Sequence, residues 1–164
     1  MDRTVCVRRL LQLRHAALTG RRSAPSAPSP GCIEYVDAAI SKNGRLASAA
    51  AVARATAGNF LGASAVVMEG LSDTETMEAM ACREGLALAS DLLLQNFKMA
   101  SDCRNVVRSI KESGMGRYGH VVKEISARME SFASAELVHE GRCSNVDAHV
   151  LAKGSLYHSL GRHV

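Results

Sequence analysis

No apolar run in the 164 residues approaches the roughly 18 that a membrane-spanning helix needs; the longest, Phe60 to Met68, is half that, so no membrane role is expected. Paired cysteines are missing too. The five cysteines (Cys6, Cys32, Cys82, Cys103 and Cys143) are scattered, odd in number and without CxxC spacing, which argues against a disulfide frame or a structural zinc site. Reduced thiols of an intracellular protein fit them better. Proline is absent after residue 30. All three prolines lie between Ser23 and Pro30, alternating with Ser and Ala, and they mark a stiff linker and a domain boundary at about Gly31. Positive charge is lacking where it would count. The formal net charge is +4, but six arginines and one aspartate in residues 1–30 hold a net +5. Residues 31–164, with fourteen Lys/Arg and fifteen Asp/Glu, are left at −1, so bulk charge gives no support to nucleic-acid binding.

The leader itself, residues 1–22, combines Leu10, Leu11 and Leu13 with clustered arginines. An organelle transit peptide, a short basic helix and a tail without a role in the fold all fit that composition. The compartment is accordingly nucleus or cytoplasm, with organelle import through residues 1–22 left open. What remains, about residues 31–160, is one domain with enough chain to bury a core; residues 161–164 read as a tail.

Within it, one stretch organises the rest. Ser72 and Glu75 have capping-box spacing, and Thr76 to Gln95 is free of proline and rich in Ala, Leu and Met, which predicts a long helix. Glu78 heads an apolar stripe through Cys82, Gly85, Ala89 and Leu93, so it is expected to face inward. Gly85 on that stripe would let the helix approach its support closely. Phe97 to Asp102 then alternates as a strand does and ends on a second carboxylate.

Upstream, Ile33, Tyr35, Asp37 and Ala39 share one face of a predicted strand, which puts an aspartate among apolar residues and toward the same cleft as Glu78 and Asp102. Leu46–Arg54 and Phe60–Met68 predict a hairpin turning at Ala57-Gly58-Asn59. Downstream, Cys103–Lys111 and Tyr118–Ala133 predict helices, the second with Val121, Val122, Ile125 and Met129 inward. Ala135–His139 predicts a strand, and Ser144 opens a last helix running to near Leu160. Two points admit two readings. Asp102 suits an N-cap as well as a metal ligand. Arg104, Arg108 and Lys111, spaced i, i+4, i+7, form either a solvated charged face or a phosphate contact.

The order strand, hairpin, helix, strand, two helices, strand, helix, with Asp37, Glu78 and Asp102 at those places, resembles ribonuclease H type 1. The likeness extends to the retroelement-derived, reverse-transcriptase-like ribonuclease H proteins of plants. It rests on Tyr35-Val36-Asp37-Ala38-Ala39, Met77-Glu78-Ala79-Met80-Ala81, Ala100-Ser101-Asp102, Gly116-Arg117-Tyr118 and His139-Glu140-Gly141-Arg142-Cys143-Ser144-Asn145. The resemblance implies an α/β, three-layer ribonuclease H-like fold with a five-stranded mixed sheet: three antiparallel strands, then two parallel ones, with helices on both faces.

It also implies hydrolysis of the RNA strand of RNA–DNA hybrids by a monomer using two Mg²⁺ (or Mn²⁺). Hard cations want carboxylate oxygens, and two of them about 3.5–4 Å apart suit an in-line phosphodiester displacement. Asp37 would bridge both metals, Glu78 and Asp102 would hold the one at the leaving group, and His139 would help proton movement or product release. Arg104, Arg108, Lys111, Arg142 and Asn145 would contact nucleic acid, RNA–DNA hybrid or RNA. One departure matters: where the family has a fourth acid, four residues after Asn145, this chain has His149. Asp147 lies about 200° away round a helix and cannot stand in. By the resemblance His149 would take the fourth acid's place in the catalytic group and as a metal ligand, through a neutral imidazole. Nitrogen is a poorer donor to Mg²⁺ than to Mn²⁺, so activity weakened or shifted toward Mn²⁺ is expected. A catalytically impaired, domesticated nucleic-acid-binding module is the alternative. No tryptophan is present, so the Trp-rich basic substrate arm of some bacterial relatives is absent as well.

Overall fold

A computed structural model describes residues 31–164, and the readings of the leader and linker lie outside the described residues. The elements are β1 (Cys32–Ile40), β2 (Leu46–Ala55), β3 (Phe60–Glu69), α1 (Thr74–Asp91), β4 (Asn96–Ser101), α2 (Arg104–Lys111), α3 (Gly119–Met129), β5 (Ser134–His139), α4 (Val146–Ser155) and β6 (Gly161–His163). They form one mixed sheet in the order β5-β4-β1-β2-β3-β6. β1, β2 and β3 pair antiparallel, whereas β4 pairs with β1, and β5 with β4, in parallel. The fold is therefore mixed α/β with six strands, not the five expected. Residues 161–163, expected as tail, add the sixth strand against Ala65–Val67 of β3.

The missed strand has a physical cause. Gly161-Arg162-His163 carries no apolar alternation, and it is held by a side chain: Arg162 donates through Nε to Glu84 (2.7 Å) and through Nη2 to Asp91 (2.6 Å), both on α1. Helix starts also differ from expectation. Asp73, not Ser72, caps α1, accepting from the Thr76 amide at 2.9 Å. The helix ends at Asp91, so Leu93 drops off the predicted stripe, 83% exposed and at φ +56°. The last helix is shorter than expected at both ends, running from Val146 to Ser155 with Asn145 at its N-cap.

The hydrophobic pattern assigns the two faces. On one, α1 lies across β1, β2 and β3 over a core that includes Val36, Met77, Leu86, Met99, Val122, Ile125 and Leu137. On the other, α4 covers a smaller alanine-lined cluster of Ala39, Ala50, Ala65 and Ala152. Small residues in β2 and β3 let both layers come close. Gly85 does so most sharply: a Cβ there would stand 2.7 Å from Met99 Sδ and 2.8 Å from Val36 Cγ1. The expectation of close approach at Gly85 is met.

Candidate metal centre

The register of the central strands creates the site. β4 follows β1 only as far as Val36, opposite Ser101; Asp37 is the next residue, still paired with Ala50 of β2 on its other side. The end of β4 thus leaves space beside Asp37, and Asp102, one residue past that end, turns into it. Glu78, in the second turn of α1, completes the group. One carboxylate oxygen of each of Asp37, Glu78 and Asp102 lies within 4.8 Å of the other two. Three acids from a strand, a helix and a strand end, 41 and 24 residues apart in sequence, converge as expected.

Their environment is one that ionised carboxylates resist. Asp37 and Glu78 are buried, at 4% and 7% exposure. Burial, followed by the negative charges of Asp37 and Asp102, pushes the Glu78 carboxyl up to about 9. Burial likewise raises Asp37, opposed by its hydrogen bonds from His149 and the Ala38 amide. Glu78 Oε2 is buried with no hydrogen-bond partner. An orphaned carboxylate oxygen beside two more carboxylates is a donor set made only of hard oxygens, and it fits a hard divalent cation.

The neighbours are specific. His149, in the first turn of α4, places Nδ1 2.6 Å from Asp37 Oδ2, and donates to that oxygen when the carboxylate is ionised. Arg142 Nε donates to Asp102 Oδ2 at 3.1 Å while its side chain remains 92% exposed. Asp102 does not cap α2: Cys103 holds the N-cap position there, without a side-chain bond. Asp147 points elsewhere and pairs with Arg54.

The remaining predicted residues separate into three. His139 ends β5, exposed, beside Ser101 in the parallel ladder and outside the carboxylate group. Arg104, Arg108 and Lys111 are exposed along the outer side of α2, whose Val106, Val107 and Ile110 face the core. Asn145 is 2% exposed and donates to the Val36 carbonyl at 2.8 Å, which pins the α4 entry to β1 beside the acids. Its place is that of a buried strut, and this bond is the one its side chain makes among the described residues. Sequence reading missed a further buried acid, Glu34, 0% exposed with both oxygens unpartnered. The strand alternation that puts Asp37 on one face puts Glu34 on the other, the only signal that could have found it.

A family model described as reverse transcriptase-like matches residues 35–155. The ribonuclease H1 of the halophilic archaeon Halobacterium salinarum NRC-1 superposes with a TM-score of 0.66 at 18% identity, over 76% of this chain and 96% of that one. The N-terminal ribonuclease H domain of a Mycobacterium tuberculosis protein gives 0.64 at 18%, over 77% and 99%. LC11-RNase H1, solved in complex with an RNA/DNA hybrid, gives 0.65 at 18%, over 76% and 96%. At these identities the likeness is one of fold. A comparison with curated proteins gives no match. Fold and site together define a ribonuclease H-like domain with an acidic centre. By the family model, the chain belongs to the reverse transcriptase-like family of ribonuclease H type 1 domains.

Proposed function

We propose that this protein is a metal-dependent nuclease that hydrolyses the RNA strand of RNA–DNA hybrids, with activity weakened by His149 in place of a fourth acid. The observation that carries the reading is the buried group of Asp37, Glu78 and Asp102 with its unpartnered Glu78 oxygen. Asp37, Glu78 and Asp102 would hold divalent cations, Mg²⁺ or Mn²⁺, with Asp37 central to the group. When bound, two such ions would supply an activated water and stabilise the leaving 3′ oxygen. Arg142, anchored through Nε, keeps both terminal guanidinium nitrogens free to meet a phosphate at the rim of the site. Arg104, Arg108 and Lys111 present a row of positive charge to the duplex backbone. His139, at the sheet end that carries Asp102, assists proton movement or product release. On this reading the protein acts as a monomer.

Hybrid binding without turnover is the second reading, and one observation favours it: His149 sits on Asp37 where the family places an acid. Cleavage of a labelled RNA–DNA hybrid, in Mg²⁺ and separately in Mn²⁺, decides between them. Cleavage lost on Asp37→Asn supports the nuclease. Salt-dependent hybrid binding with no cleavage in either metal, by folded protein, establishes the binding module instead.

A further inference from the structure

We propose that Glu75 is a positioning residue: its carboxylate bridges the helix that carries Glu78 to the helix that follows Asp102, and so holds those two acids at their spacing. This rests on the metal-centre reading above and deepens it. Sequence spacing pairs Glu75 with Ser72 in a capping box, but Asp73 caps α1 through the Thr76 amide, which frees the Glu75 carboxylate from that duty. Its two oxygens go to other helices. Oε1 accepts from Asn105 Nδ2, in the first turn of α2, at 2.6 Å. Oε2 accepts from the hydroxyl of Tyr118, the N-cap residue of α3, at 3.2 Å. Tyr118 is buried, and its hydroxyl also meets that of Ser109 on α2 at 3.3 Å. One carboxylate thus joins three helices.

The place of this bridge gives it leverage. Glu75 stands one turn before Glu78, on the same side of α1. Asn105 is three residues beyond Asp102, across the N-cap of α2. The two helices lean on each other only lightly elsewhere, since α1 packs chiefly on β1 and β2. Asn105 is exposed, so the bond rather than burial holds it. The ligand oxygens of Asp37, Glu78 and Asp102 lie within 4.8 Å of one another. Oxygens about 2.0–2.1 Å from a shared Mg²⁺ stand no more than about 4 Å apart, so that spacing has no room to widen. Both partners of Glu75 donate, which calls for two acceptors, and a carboxylate supplies them where an alkyl chain cannot. A glutamine can still answer both, because Asn105 and Tyr118 also carry acceptor oxygens.

The test compares Glu75→Ala, Glu75→Gln, Asn105→Ala and the double variant Glu75→Ala with Asn105→Ala, each in the whole chain. Mn²⁺ affinity is read by calorimetry without nucleic acid, and kcat and KM by hybrid cleavage. Glu75→Ala should weaken Mn²⁺ binding and lower kcat by about tenfold each, the lower end of what groups behind metal ligands command, with KM unchanged. Glu75→Gln should recover most of the loss, and the double variant should be no worse than Glu75→Ala, as a shared bond requires. If Glu75→Ala does not fold, Asn105→Ala and Tyr118→Phe, which keeps the buried ring, carry the same expectation in milder form. If the wild-type protein binds Mn²⁺ without cleaving, calorimetry alone decides. Wild-type Mn²⁺ affinity in Glu75→Ala, or additive losses in the double variant, would overturn the proposal and leave the metal centre intact. A raised KM with kcat and Mn²⁺ binding unchanged would overturn it too, by making Glu75 a direct nucleic-acid contact. No Mn²⁺ bound by the wild-type protein would remove the metal centre itself, and the role of the bridge with it.

Discussion

Glu34 offers the sharpest test of the energetics. It lies on the α1 face of β1, fully buried, with neither oxygen hydrogen-bonded and with Glu84 close enough to oppose its ionisation. Burial first, and then the Glu84 charge, lifts its carboxyl from 4.5 to about 8. The folded protein therefore keeps a proton that the unfolded chain gives up. Stability from this group is full below pH 4.5 and is lost as pH rises through about 8. At about 1.4 kcal/mol per pH unit, the loss across that window reaches an upper limit on the order of 5 kcal/mol. Glu34→Gln is neutral at every pH and should lack this slope. The stability of the variant minus that of wild type, from urea melts, should rise by about 3 kcal/mol between pH 5.5 and 7.5. Other titrating groups, Glu78 among them, are common to both proteins and cancel in the difference. A difference that stays constant with pH would refute the argument, because it would mean that Glu34 is charged in the folded protein and has found a partner.

Three further outcomes can be checked. Gly85→Ala should destabilise by about 1–3 kcal/mol despite the helix preference of alanine, since Met99 Sδ can swing away but Val36 Cγ1 cannot; an unchanged melting temperature would show that α1 stands off the sheet. Leu93→Gly should stabilise by about 1 kcal/mol in denaturant melts, because an exposed leucine at φ +56° carries a left-handed cost that glycine does not. Neutralising Arg104, Arg108 and Lys111 together should leave stability unchanged. It should flatten the salt dependence of hybrid affinity by roughly one unit of log–log slope for each phosphate no longer neutralised; an unaltered slope would make them a plain solvated face.

Much of this was legible in sequence, for identifiable reasons. Asp37 among Ile33, Tyr35 and Ala39, and Glu78 above Cys82 and Gly85, are local periodicities, and local periodicity survives without a structure. Gly85 announced its close approach by being a glycine in a helix otherwise rich in good helix formers. The hairpin strands start where expected and each run one residue further, and the parallel crossover to β4 came out as expected. What escaped reading depends on partners distant in the chain. The His149 bond to Asp37 spans 112 residues, and the Arg162 bonds that seat β6 span 78 and 71. Asn145 looked like a polar loop residue because nothing in its neighbours reveals that it reaches Val36. Ser72 and Asp73 are both good caps in adjacent positions, and only the backbone decides between them.

The grip of Arg162 on Glu84 and Asp91 also reaches past the sheet edge. Strand β6 meets only three residues of β3, yet its arginine holds the helix that carries Glu78. A change that detaches β6 from the sheet edge would therefore reach the helix that positions Glu78, through the two ion pairs of one arginine.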